Sequence, residues 1–289
     1  MAFQKLTGTF ANLAEGLNVR VRLNNGVAMP WLGLGTYDIR TETEVAKVIH
    51  QAVALGYRSF DTATIYQNEA EVGAALRTCG RPREELFITT KVWNDDMRAG
   101  RVEAALADSM KRLQLDYVDL YLLHWPIEGK LVSSWRSLEK MYRAGLVRAI
   151  GVSNYLIPHL EELRRETEIV PAINQIEFHP YLQVKPLTAY CQEKGIRVEA
   201  WSPLMQGRSI LQDPVVTEIA RQHGRTPAQV ILRWNVQGGV VTIPKSTKPQ
   251  RLEENGRMFD FALGPEEMHA LAALDRNERI GQDPMNVTF

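Results

Sequence analysis

Cysteine is scarce in this chain: of 289 residues only Cys79 and Cys191 are cysteines, far apart in sequence. That excludes a disulfide framework and any zinc-type Cys/His spacing, and no metal site is expected. Cys79 has no neighbouring His or Asn to mark it as a nucleophile, and two free thiols fit a reducing cytoplasm. Net charge is absent as well. Lys+Arg and Asp+Glu number 34 each, so no global field draws the chain to nucleic acid or to a membrane surface. No apolar run approaches the roughly 18 residues of a membrane span. The opening, MAFQKLTGTFANLAEG, has no apolar signal core and reads as a short loose extension. Also missing are a Gly/Ser linker, any low-complexity segment, and the motifs GxGxxG, HExxH, GxSxG and the GxxxxGK phosphate loop.

What is present is an alternation. Asn24-Asn25-Gly26 predicts a small N-terminal hairpin, because Asn-Gly accepts the positive φ of a tight turn. Beyond it, short runs that are apolar on both faces predict eight parallel strands: Leu32–Gly35, Arg58–Asp61, Leu86–Lys91, Tyr117–His124, Val147–Val152, Ala172–Glu177, Arg197–Ala200 and Val240–Ile243. Helical patterns separate them at Glu44–Leu55, Ala99–Leu113, Leu131–Ala144, Ile157–Arg165, Val184–Lys194 and Pro214–His223. Several have Pro near the start and Gly after the end. Units of about 30 residues in this order imply an α/β fold, the (β/α)₈ barrel. The long interval from Ala200 to Val240 holds an extra helix, Thr226–Val236, and the tail holds another, Pro265–Leu274. An apolar share of 45% and a charged share of 24% suit one globular unit. A single domain is expected over 19–289, with 1–18 as an N-terminal extension.

In such barrels the active site lies at the C-terminal strand ends. Asp61, Lys91, His124, Ser153, Asn154 and Gln175 all fall there. Singly, each has a bland explanation: a turn-forming Asp, a solvated Lys, a His in the core. Jointly they share one face, and position rather than residue type carries the weight. They are also chemically coherent with Tyr66, which follows Asp61 in a loop. A tyrosine, with an ordinary pKa near 10, is a weak donor at neutral pH. A Lys91 ammonium about 4 Å away would favour phenolate by up to roughly 4 kcal/mol, or about 3 pKa units. Asp61 would keep Lys91 charged, and His124 would aim a ring nitrogen at the same oxygen. Such a group polarises a carbonyl and protonates the developing alkoxide. It supplies no hydride, so a cofactor is needed.

The motifs MPWLGLGT (29–36), FDTATIYQNEAEVG (60–73), TTKVWN (89–94), DYVDLYLLHWP (116–126), GVSNY (151–155), NQIEFHPY (174–181), WSPL (201–204), IPKS (243–246) and RLEEN (251–255) occur in order. From about Val19 onward the chain resembles the aldo-keto reductases, NADPH-dependent carbonyl reductases on a (β/α)₈ barrel. Within them it looks most like the bacterial 2,5-diketo-D-gluconate reductase and prostaglandin F synthase-like branch. The resemblance implies Tyr66 as general acid with Asp61, Lys91 and His124, and Ser153, Asn154 and Gln175 on the nicotinamide carboxamide. Trp201 stands where a stacking tyrosine is commoner, a substitution that also occurs in this branch. Ser202, Leu204 and Gln206 match a loop over the pyrophosphate. Lys245, Ser246 and Arg251 match a 2′-phosphate site, and Glu254 and Asn255 match adenine contacts.

On the substrate side the resemblance places Tyr37, Trp93, Trp125, His124 and Ile65 around the pocket. The loop after His124 and the tail after Leu274 are short, which implies an open site for varied aldehydes and ketones. A small carbonyl compound is the expected partner of a monomeric, cytoplasmic enzyme. Two other functions compete: a cofactor-binding regulatory or scaffold protein on the same fold, and a barrel hydrolase with Asp61 and Glu177 as paired carboxylates.

Overall fold

The computed structural model describes residues 13–289. Strands β1 (Arg20–Arg22) and β2 (Ala28–Pro30) pair antiparallel in the expected hairpin, turned by Gly26 at φ 87°. Asn24 and Asn25 donate to the carbonyls of Pro171 and Arg148, which ties the hairpin to the N-terminal ends of later strands.

Eight parallel strands follow: β3 (Leu34–Gly35), β4 (Ser59–Asp61), β5 (Phe87–Val92), β6 (Val118–Leu123), β7 (Val147–Ser153), β8 (Ile173–Glu177), β9 (Arg197–Trp201) and β10 (Val241–Thr242). They pair in chain order. Leu32 bridges in parallel to Thr242, and the Gly33 N–H donates to the Thr242 carbonyl at 3.0 Å, so the sheet closes on itself. Closure leaves no sheet edge and aims every strand's C-terminal end at one mouth.

The helices are α1 (Glu42–Ala54), α2 (Glu69–Arg77), α3 (Asn94–Arg98), α4 (Val102–Leu113), α5 (Leu131–Arg143), α6 (Ile157–Glu166), α7 (Lys185–Glu193), α8 (Pro214–His223), α9 (Pro227–Gln237), α10 (Pro249–Gly256) and α11 (Pro265–Ala272). Thr41 caps α1 and Thr226 caps α9 through their side-chain oxygens. Three expectations are corrected. The helix expected over Ala99–Leu113 begins only at Val102, because Gly100 at φ 67° turns the chain between the short α3 and α4. The helix over Thr226–Val236 is no accessory. Residues Ala228 to Val236 are buried without interruption and pack on β10, so α9 is the barrel-layer helix. The outer pair is α8 and α11, which pack on each other.

The third correction is α2, which the sequence pattern did not announce because it is short, polar and interrupted by Gly73. That glycine is what lets α2 lie against α4: a Cβ at Gly73 would stand 2.2 Å from the Leu113 carbonyl oxygen. Of the expected N-terminal extension, residues 1–12 lie outside the described residues. Leu13–Asn18 form a 3₁₀ stretch, and Leu17 packs on the core. Both cysteines are free. No helix among the described residues is long and apolar enough to cross a membrane.

Replacing Gly73 by Ala should lower stability by about 3 kcal/mol in denaturant unfolding, with the slope unchanged. A loss below about 0.5 kcal/mol would show that α2 and α4 can separate freely.

Candidate active site

Strands β4 and β5 are neighbours, and their buried ends bring Asp61 and Lys91 together. Lys91 Nζ donates to Asp61 Oδ1 at 2.5 Å and to the Thr62 carbonyl at 2.9 Å. Its third neighbour is Tyr66 Oη at 3.5 Å. Tyr66 arrives on a 3₁₀ turn, Thr64–Tyr66, anchored where Thr64 Oγ1 donates to the Lys91 carbonyl at 3.0 Å. His124 follows β6 and sets its ring edge-on to Tyr66, with centroids 6.0 Å apart.

The charges settle in a definite way. Burial works against the Lys91 ammonium, but Asp61, Tyr66 and Glu199 outweigh it and its pKa is raised. Burial, assisted by Lys91, holds His124 well below the usual imidazole range, so its ring is neutral at pH 7. Tyr66 corrects the expectation. Burial raises its pKa more than Lys91 lowers it, and Asp61 adds to the rise. The ammonium is largely matched by Asp61 at 2.5 Å, so little of its field is left to favour phenolate. Tyr66 as a residue is half-buried, its ring open to the cleft; the shift belongs to the enclosed hydroxyl. It rests as a protonated donor.

Around this group the polar ends of β7, β8 and β9 interlock. Gln175 Nε2 donates to Asp61 Oδ2 and to Glu199 Oε2, both at 2.8 Å. Ser153 Oγ donates to the Gln175 main-chain carbonyl at 2.9 Å. Asn154, left-handed at φ 64°, donates to the His124 carbonyl and accepts from Trp201 Nε1 at 2.8 Å. The indole is therefore fixed in its plane. Its Cη2–Cζ2 edge lies against Gly281, where a Cβ would stand 2.4 Å away, so only glycine lets the tail pass. Glu177 holds that tail, accepting from the N–H groups of Ile280 and Gly281 at 2.6 and 2.9 Å. Burial would raise Glu177, but His179 and those two N–H groups win, and its pKa is lowered. With Glu177 on the tail and Asp61 on Lys91, the paired-carboxylate hydrolase has no free acid.

A cleft of about 1020 Å³ runs across the barrel mouth, and every residue that the resemblance assigned to the site lines it except Lys91, which lies buried beneath the floor. Its near end holds Tyr37, Ile65, Tyr66, Trp93, His124 and Trp125. Trp201, Ser202, Leu204 and Gln206 form its middle. Ser202, Met205 and Gln206 have φ of 48°, 47° and 57°. Non-glycine residues held there each cost about 1 kcal/mol or more, and such strain gathers at functional loops. At the far end stand Lys245, Ser246, Arg251, Glu254 and Asn255. The side chains of Lys245 and Arg251 are exposed and make no ion pair among the described residues. Glu254 accepts from Thr226 Oγ1 at 2.6 Å, and Ser246 Oγ accepts from the Lys248 N–H.

Two site residues escaped the sequence reading. Phe289 stacks on Trp93 at 5.6 Å, meets Trp125 edge-on at 5.3 Å, and is fastened where Asn94 and Arg98 donate to its main-chain oxygen. The short tail therefore narrows the mouth, where an open site was expected. Nothing in the sequence marked Phe289. Glu199 was legible in principle, as one acid in the middle of a buried strand, RVEAW.

Known proteins share this architecture. The model of the Aldo/keto reductase family matches residues 31–276. Glyoxal reductase of Bacillus subtilis is 52% identical over 277 residues, 96% of this chain and 100% of that protein. Methylglyoxal reductase DkgA of Salmonella typhimurium is 47% identical over 91% of this chain and 96% of its own length. Among solved structures, MGS-M4, an aldo-keto reductase from a deep-sea metagenome library, superposes with a TM-score of 0.91 at 39% identity, over 93% of this chain and 100% of that one. A Gox0644 mutant in complex with NADPH superposes at 0.89 with 40% identity, over 94% and 99%. Matched along most of its length by the family model and by relatives near half identity, the chain belongs to the aldo/keto reductase family.

Proposed function

We propose that this chain reduces aldehydes and ketones to alcohols with NADPH, using Tyr66 as the general acid. The observation that carries the reading is Tyr66, protonated, over the buried Lys91–Asp61 pair and beside a neutral His124. The residues present fit the cofactor. Lys245 and Arg251, without carboxylate partners and beside the start of α10, suit the dianionic 2′-phosphate that distinguishes NADPH from NADH. Glu254 already accepts from Thr226 Oγ1 through one of its carboxylate oxygens. Trp201 offers a fixed π-face, and the Gln175 side-chain oxygen Oε1 has no hydrogen-bond partner among the described residues.

NADPH, when bound, supplies the hydride. The neutral His124 orients the substrate oxygen by a hydrogen bond without adding charge. Tyr66 gives that oxygen its proton, and the Lys91 ammonium stabilises the phenolate left behind. Lys91 thus acts most strongly when Tyr66 has lost its proton, which is the differential stabilisation that lowers a barrier. The aromatic rim, narrowed by Phe289, favours small carbonyl compounds. Glyoxal and methylglyoxal, named for the two bacterial relatives, fit that size.

We further read residues 19–289 as one barrel domain with 1–18 as its extension, acting as a monomer in the cytoplasm. The balanced charge supports the absence of a nucleic-acid partner.

Tyr66→Phe should reduce methylglyoxal turnover by about 10²–10⁴-fold while NADPH still binds; turnover close to that of the parent protein would remove Tyr66 from this role. Arg251→Ala should weaken NADPH by about tenfold or more and leave NADH almost unchanged. Equal weakening of both cofactors would contradict the 2′-phosphate assignment.

A further inference from the structure

Glu199 is a buried acid for which the mechanism has no use. It lies on β9 with no exposed surface, opposite Gln175 in the strand register. One carboxyl oxygen accepts from Gln175 Nε2 at 2.8 Å, and the other has no hydrogen-bond partner. Packing alone would be served better by an apolar residue, because a buried carboxyl is costly. What the carboxyl does in the structure is to hold one amide. Gln175 Nε2 has two hydrogens, and both are taken, one by Asp61 and one by Glu199. The amide is thereby fixed in orientation and tilt, with its oxygen Oε1 left without a hydrogen-bond partner among the described residues, on a residue that lines the cleft.

We propose that Glu199 is a positioning residue: as a neutral carboxylic acid it completes a carboxyl–amide–carboxylate clamp with Asp61 that presents the Gln175 side-chain oxygen Oε1 to the cofactor's carboxamide. This rests on the NADPH reading of the cleft. Neutrality follows from the geometry. Asp61 is committed to Lys91 as the anion, and a second anion sharing the same amide would repel it at short range. Asp61 on β4 and Lys91 on β5 are the charged groups that act on Glu199, while β8 contributes only the Gln175 amide. Burial and Asp61 push the Glu199 carboxyl up to about 8, against the smaller opposing pulls of Gln175 and Lys91.

The sign of the pH effect is fixed by linkage. In the unfolded chain Glu199 loses its proton near pH 4.3, roughly the ordinary Glu value. In the folded protein it keeps the proton to about pH 8. Between these values the folded state binds more protons, so its contribution to stability falls as pH rises and levels off above pH 8. Glu199→Gln cannot ionise and keeps the acceptor for Gln175. Glu199→Met keeps roughly the volume and removes the acceptor.

Two measurements on the full chain test the proposal. Without cofactor, the Tm of Glu199→Gln minus that of the parent should grow steadily from about pH 5 to pH 8 and then stay constant. A difference independent of pH overturns the neutral acid. By quenching of tryptophan fluorescence, Glu199→Gln should bind NADPH within about twofold of the parent, and Glu199→Met about tenfold more weakly, the loss of one buried hydrogen bond. Unchanged binding in Glu199→Met overturns the positioning role alone. A parent protein that bound no NADPH would sink the cofactor reading and this role with it. Should Glu199→Met fail to fold, Glu199→Leu takes its place in the binding measurement, and the pH dependence of Glu199→Gln still tests the neutral acid.

Discussion

The site depends on one buried ion pair, Asp61 with Lys91. Neither residue is tolerable alone, since an unpaired charge at this depth costs about 3–5 kcal/mol. Together they are satisfied at 2.5 Å, with Thr62 and Gln175 taking the remaining capacity. The pair exists because β4 and β5 are adjacent and parallel, so consecutive strand ends meet at one level. Gln175 joins it from β8, across the closed mouth, 114 residues along the chain from Asp61. Barrel closure through Leu32 and Thr242 is therefore as much a condition of the chemistry as the residues themselves.

From this pair the protonation states follow. Asp61 keeps Lys91 charged but cancels much of its field, so burial decides the resting state of Tyr66 and keeps its proton in place. Lys91 also helps to strip charge from His124. The site thus holds one anion, one cation and two neutral donors or acceptors facing the cleft. A second layer fixes the indole face proposed to carry the cofactor. Asn154 pins the Trp201 indole, Gly281 admits the tail against its edge, and Glu177 keeps that tail in place.

Much of this was legible in the sequence, for physical reasons. Parallel barrel strands are buried on both faces and read as short apolar runs, so their polar ends stand out against them. Asp61, Lys91, His124 and Gln175 were visible in that way. Helix α2 was not, because Gly73 lowers its helical signal while serving a packing need that only α4 reveals. The roles of α8 and α9 were exchanged, since burial all round a helix cannot be told from an accessory pattern without its neighbours. The sign of the Tyr66 shift depends on enclosure and on Asp61 screening Lys91, neither of which spacing encodes. Phe289 carries no local signal, and its place between Trp93 and Trp125 is set by the path of the whole tail.

If the Asp61–Lys91 pair keeps Tyr66 able to give up its proton, a change at Asp61 must reach the chemistry. Asp61→Asn preserves shape and one acceptor but leaves Lys91 without a countercharge, which favours the neutral amine. Methylglyoxal-dependent oxidation of NADPH should then fall by at least about 10²-fold, with NADPH binding retained in a direct titration. A variant that binds NADPH and turns over at the parent rate would contradict the account.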